Sequence, residues 1–100
     1  MIYLDNAATT PLTPSVIDAM TEIMENDFGN PSSIHGIGRR ANQRLRSARQ
    51  TIASALKTDP RRIIFTSGAT ESNNTAIKGY ALANQAKGKH IITTSIEHHS

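Results

Sequence analysis

The chain has no cysteine and no tryptophan, and only four of its 100 residues are aromatic. Without cysteine it can form no disulfide, no thiolate metal site and no thiol nucleophile of its own. With only Tyr3, Phe28, Phe65 and Tyr80 as aromatics, a core must rest on Ile, Leu, Val, Met and Ala. That is thin for a stand-alone α/β domain of this length. Apolar runs last only a few residues, so no membrane-spanning segment is expected. The opening MIYLDNAATT lacks the basic and apolar blocks of a secretory signal, and a cytoplasmic location is the expectation.

What charge there is leans positive, with a formal net charge of +3. Arg39, Arg40, Arg44, Arg46, Arg49, Arg61 and Arg62 supply most of it. Such a run suits a nucleic acid or another acidic partner. It equally suits the solvated face of a long helix. The latter reading is the simpler one, because no aromatics are interleaved for base stacking.

Three helices can be read from periodicity. Thr13 caps a helix with Pro14 at its first position, and Val16, Ile17, Met20, Ile23 and Met24 recur at helical spacing to about Glu25. After the GNPSS loop, with Ser32 or Ser33 as cap, Ile37, Ala41, Leu45, Ala48, Ile52 and Leu56 form one stripe, stopped by Pro60. A third helix runs from about Ala69 to Lys87 and is closed by Gly88. Strands are expected at residues 2–5, 62–66 and 90–95. The order is β, α, α, β, α, β, with a right-handed βαβ unit at the end. A parallel sheet needs more strands and helices on both faces, so the chain reads as the first piece of a larger α/β domain.

The functional end of such a unit is the carboxyl end of its strands. Two turns sit there, SGATES and IEHHS. In the first, Gly68 permits a sharp turn and close approach. The amides of Ala69, Thr70 and Glu71 open a helix N-terminus that favours an anion. The hydroxyls of Ser67, Thr70 and Ser72 add donors. There is no Walker or dinucleotide glycine pattern. An ordinary helix capped by Ser67 or Thr70 explains the turn as well. In the second, Glu97, His98 and His99 follow a strand. Neighbouring histidines on an extended chain face opposite sides, so no metal site is expected. An imidazole beside a phosphate cradle could stack on a planar phosphorylated cofactor and handle protons. An exposed loop histidine is the plain alternative. DNAATT and GNPSSIHG are small, polar loops for which turn chemistry is sufficient, and His35 reads as a loop or helix-start histidine.

Taken together, YLDNAATTPLTP, FGNPSSIHGIGRRA, FTSGATESNNTAIKG and TTSIEHHS resemble the N-terminal quarter of cysteine desulfurases of the NifS/IscS-like group. These are pyridoxal-phosphate (PLP) enzymes of the class V aminotransferase family. Each motif is modest, but four in register over essentially the whole chain are highly specific. The resemblance implies an α/β fold. The chain would be the incomplete N-terminal part of a type I PLP-dependent transferase large domain, a mostly parallel sheet flanked by helices. Residues 1–14 would be a strand and loop packing with a C-terminal small domain, and residues 15–100 would begin the PLP-binding large domain.

The resemblance also implies roles. Ala69 and Thr70 match the pair that binds the cofactor phosphate. His98 matches the histidine that stacks on the pyridine ring and is assigned proton handling. Ala7 and Ala8 match a loop near the substrate pocket. Ser100 departs from the alanine often found at its position. The family's activity converts L-cysteine to L-alanine and leaves an enzyme persulfide. That sulfur goes to an acceptor protein, an iron–sulfur scaffold or a tRNA-thiolation enzyme, and the complete enzyme is a homodimer. The cofactor-anchoring lysine, the aspartate facing the pyridine nitrogen, the substrate-binding arginine and the sulfur-carrying cysteine are expected beyond residue 100. None of Lys57, Lys78, Lys87 and Lys89 sits in a matching motif. The 100 residues alone are expected to be inactive. Two alternatives stand beside this one: another class V PLP-dependent aminotransferase or lyase, and a small basic α/β module that binds nucleic acid.

Overall fold

The computed structural model describes residues 2–100. Its chain divides into two compact units, Met1–Ile63 and Ile64–Ser100.

In the first unit, α1 spans Pro14–Asn26 and α2 spans Gly36–Ala55. Thr13 precedes α1 as expected, with Pro14 pre-set for the first turn. Its carbonyl accepts from the amides of Val16 and Ile17, at 3.0 and 3.1 Å, while its hydroxyl is paired with Ser15 instead of capping. The cap of α2 is His35, not Ser32 or Ser33: its Nδ1 accepts from the Gly38 amide at 3.3 Å. The loop before it is knitted to the helix. Asn30 accepts from the amides of Ser32 and Ser33, and Asn42 donates to the Pro31 carbonyl at 3.0 Å. Gly38 is where that loop lies closest. A Cβ there would stand 2.5 Å from the Ser33 carbonyl oxygen.

The covered face of α2 is turned from the expected stripe. Gly38, Ala41 and Ala53 are the buried positions, while Ile52 and Leu56 stand exposed. Small residues let the loop before the helix and the 3-10 turn Pro60–Arg62 after it close on that face. Arg49 lies on the same side and donates to the Ile63 carbonyl at 3.2 Å.

Most of the arginine run has an internal purpose. Arg40 and Arg44, one helical turn apart, both reach the buried carboxylate of Asp27, at 3.4 and 2.7 Å. Arg44 also pairs with Glu22, and these two acids hold its guanidinium above its ordinary value, the hydrogen bond to Asp27 first. Arg39 donates to the Ile34 carbonyl at 2.6 Å. Arg61 clamps Asp59, whose carboxyl is thereby held below the usual range. These contacts fasten α2 to α1 and to its flanking loops.

In the second unit, α3 spans Ala69–Ala83, followed by a 3-10 turn at Gln85–Lys87. α3 thus stops at Ala83, short of the expected Lys87, while Gly88, at φ 156°, follows the 3-10 turn as the expected stop. The C-terminal half of α3 and residues 88–91 line an open apolar groove of about 820 Å³, with Ile77, Tyr80 and Ile91 on its walls.

No strand forms among the described residues, so the sheet expected from residues 2–5, 62–66 and 90–95 is absent from them. A strand is held by the N–H and C=O groups of its neighbours. These segments have no such ladder here, and their side chains lie bare, Ile2 at 85% and Ile92 at 87% exposure. The apolar sides of the helices are bare as well, with Ile17, Met24 and Ile77 all exposed, as is Phe28 in the loop after α1. Among the described residues no helix is long and apolar enough to cross a membrane.

Candidate functional site

The second unit brings together the two turns singled out by the sequence. In the SGATES turn, Gly68 is the residue before α3, and no side chain caps the helix. The amide of Ser72 returns to the Gly68 carbonyl at 3.1 Å. The amides of Ala69, Thr70 and Glu71 have no backbone acceptor among the described residues, as the first turn of a helix dictates.

The hydroxyls of the turn are not equivalent. Ser67 donates to the Glu71 carboxylate at 2.8 Å, and its amide donates to the same oxygen at 2.7 Å. The Ser72 hydroxyl is paired with that of Thr66 at 2.6 Å. Thr70 alone of the three candidates keeps its hydroxyl without a partner among the described residues. The turn is therefore held by Ser67–Glu71 and Thr66–Ser72, while Ala69 and Thr70 face outward with two amides and one hydroxyl. The Ser67 amide, and next the Ser67 hydroxyl, hold the Glu71 carboxyl below its ordinary value. Sequence reading missed Glu71 as a tie, because its partner Ser67 lies one residue before the position a capping box would use.

Gly68 itself is not demanded by strain. Its φ of 165° is extended backbone, and a Cβ would meet nothing within 4 Å. The expectation of a sharp glycine turn gives way to an open backbone beside the free amides.

The IEHHS turn lies against the same end of α3. Asn73, in the second turn of the helix, donates to the Ser100 hydroxyl at 2.9 Å. The Ser100 amide in turn donates to His98 Nδ1 at 3.1 Å. The rings of His98 and His99 stack, with centroids 4.2 Å apart and planes 23° apart. This corrects the expectation that the two point to opposite sides. The chain bends through residues 95–97, so the alternation of an extended strand does not apply. The Glu97 carboxylate accepts from the Thr94 hydroxyl at 2.9 Å. No group of three or more potential metal ligands occurs among the described residues.

Ala7 and Ala8 belong to the first unit. They sit in an exposed turn closed by the Ala8 amide donating to the Asp5 carbonyl at 3.1 Å. Tyr3 steadies it by donating its hydroxyl to the Asp5 carbonyl at 3.0 Å.

The start of α3 thus carries first-turn amides and a Thr70 hydroxyl without partners among the described residues, and Asn73 of the same helix is bonded to Ser100, which donates to His98. A family model described as Aminotransferase class-V matches residues 2–100. The chain belongs to the class-V aminotransferase family. Among class-V aminotransferase relatives, a protein of Methanosarcina thermophila named cysteine desulfurase IscS is 54% identical over 99 residues. That match covers 99% of this chain and 24% of the relative. A protein of the same name in Dictyoglomus turgidum is also 54% identical over 99 residues, 99% of this chain and 25% of the relative. A human cysteine desulfurase is 52% identical over 98 residues, 97% of this chain and 21% of the relative. The chain thus spans about a quarter of the length of the curated relatives it matches.

Proposed function

We propose that this chain supplies one wall of the cofactor pocket of a PLP-dependent cysteine desulfurase. The observation that carries the reading is the first turn of α3. There the Ala69 and Thr70 amides and the Thr70 hydroxyl have no other partner among the described residues. A phosphate dianion suits those donors and the positive end of the helix dipole. The Glu71 carboxylate, which would repel an anion, is turned back onto Ser67. The open space beside the Gly68 backbone leaves the approach clear. The residues present therefore fit the phosphate end of PLP, and the second unit ties His98 to the same helix end.

In this reading Ala69 and Thr70 would hold the phosphate, and His98 would stack on the pyridine ring and handle a proton at Nε2. Bound PLP supplies an electron sink for bond cleavage next to the amino group of L-cysteine. L-alanine is the product, and the sulfur leaves as a persulfide on a cysteine that this chain does not contain. Ala7 and Ala8 lie near the substrate. The 100 residues alone carry out no turnover.

The same reading extends to the fold. Residues 2–5, 62–66 and 90–95 become strands of the mostly parallel sheet of a type I PLP fold. The bare sides of α1, α2 and α3 are covered by that sheet and by helices outside these residues. Residues 1–14 pack with a small C-terminal domain. The working enzyme is a cytoplasmic homodimer that passes sulfur to an acceptor, a scaffold for iron–sulfur clusters or a tRNA-thiolation enzyme.

The test is turnover by the protein as its gene encodes it. With PLP and L-cysteine it should release L-alanine in step with sulfur on the enzyme or, with a thiol reductant, as sulfide. Transamination of L-cysteine without sulfur release would instead indicate another class-V aminotransferase activity.

A further inference from the structure

We propose that Asn73 and Ser100 are positioning residues that hold the His98 imidazole as its Nε2–H tautomer. The argument starts at the ring. His98 Nδ1 accepts from the Ser100 amide at 3.1 Å. A ring nitrogen that accepts carries no proton, so the proton of the neutral ring sits on Nε2. A bond between residues two apart in an exposed segment is easily lost when the segment moves. Here the donor is pinned from outside the segment. Asn73 donates to the Ser100 hydroxyl at 2.9 Å, across 27 residues of sequence. Asn73 stands on the second turn of α3, so the Ser100 amide is referenced to a helix and not to a loop.

The other contacts leave a defined opening. His99 covers one face of the His98 ring at 4.2 Å. The Nδ1 edge is taken by Ser100. The second face and the Nε2–H edge have no partner among the described residues. What remains is a flat surface with one hydrogen-bond donor at its rim. That combination can stack on a planar ring while Nε2 gives or takes a proton.

An amide at position 73 suits the task. It donates at every pH and brings no charge. An aspartate would put a second negative charge in the first turns of α3, beside the amides of Ala69 and Thr70, and would weaken them as an anion site. Ser100 supplies both parts of the relay, its hydroxyl as the acceptor and its backbone amide as the donor.

The lock on the tautomer stands on these contacts alone. Its use against a cofactor ring rests on the function proposed above. The two are separated by observing His98 directly. In the protein as its gene encodes it, with histidines labelled with nitrogen-15, long-range proton–nitrogen spectra at a pH where the ring is neutral report which nitrogen is protonated. The expected result is a single Nε2–H tautomer for His98. Asn73→Ala and Ser100→Ala should each lose it to a mixture, and the double variant should be no worse than either single one. Ser100→Thr, which keeps the hydroxyl, should retain it. Both positions of substitution are at or near the surface, so the variants fold. A mixed tautomer in the unaltered protein, or an unchanged one in both alanine variants, overturns the proposal. Absorbance of added PLP on the same samples separates the readings. A locked His98 in a protein that binds no PLP sinks the cofactor reading and leaves the lock. Bound PLP with His98 indifferent to Asn73→Ala sinks the lock alone.

Discussion

Glu71 folds back onto Ser67, its carboxylate accepting from the Ser67 amide at 2.7 Å and from the hydroxyl at 2.8 Å. This contact decides which groups of the SGATES turn remain for a ligand. It also makes the turn sensitive to acid. The folded Glu71 carboxyl sits below its ordinary value of 4.5 because Ser67 stabilises its charged form. A depressed value means stability that is fully present above pH 4.5 and is lost as pH falls through the folded value. Carbon NMR of the Glu71 carboxyl should show that low midpoint, and Glu71→Gln should remove the acid response of the turn. A midpoint at or above 4.5 would contradict the contact.

Thr70 and Ser72 should separate on substitution. The Thr70 hydroxyl is without a partner among the described residues, whereas that of Ser72 is held by Thr66 at 2.6 Å. Losing a donor to a charged phosphate costs about 1.5–3 kcal/mol. Thr70→Ala should therefore weaken PLP binding roughly tenfold to a hundredfold. Ser72→Ala should weaken it far less. Fluorescence titration with PLP is the measurement, and equal effects would contradict the assignment of free and used hydroxyls.

Asp27 joins α1 to α2 through Arg44 at 2.7 Å and Arg40 at 3.4 Å. Its side chain is only 6% exposed. Asp27→Ala should cost about 2 kcal/mol of stability, the range for hydrogen bonds to charged groups. Arg44→Ala should lower the urea midpoint as well. Arg46→Ala, which removes an arginine with no partner among the described residues, should leave the midpoint in place.

Two glycines of α2 predict opposite outcomes. A Cβ at Gly38 would stand 2.5 Å from the Ser33 carbonyl oxygen, so the backbone must shift. Gly38→Ala should cost about 1–3 kcal/mol. At Gly36 the nearest atom is the end of the Arg39 side chain at 4.0 Å. Gly36→Ala should be neutral or stabilise by up to about 1 kcal/mol. Thermal unfolding of the two variants gives the comparison.

The helices were legible in the sequence because their cause is local. Pro14, the apolar spacing before and after the GNPSS loop, and Gly88 act within a few residues of where they stand. The start and end of α1 follow from them, while α3 stops at Ala83, short of Gly88. The strands were not recoverable in the same way, since Ile63, Ile64, Ile91 and Ile92 favour extended backbone but need a paired neighbour to become a strand. His35 was missed as a cap because its Nδ1 does what Ser, Thr, Asp or Asn usually does. The arginine run reads first as a solvated helix face, and its ties to Asp27, Ile34 and Ile63 were not legible because those acceptors lie outside the helix. Ala69, Thr70 and His98 were singled out from turn chemistry and resemblance. The relay from Asn73 to Ser100 was not, because a bond spanning 27 residues leaves no local pattern.

The central claim is that Ala69 and Thr70 hold the phosphate of PLP at the start of α3. Phosphorus NMR of PLP bound to the protein as its gene encodes it tests this most directly. The account predicts a bound phosphate resonance, held as the dianion, that shifts toward free PLP in Thr70→Ala and is unmoved in Ser72→Ala. A bound resonance indifferent to Thr70→Ala, or no bound PLP at all, would contradict it.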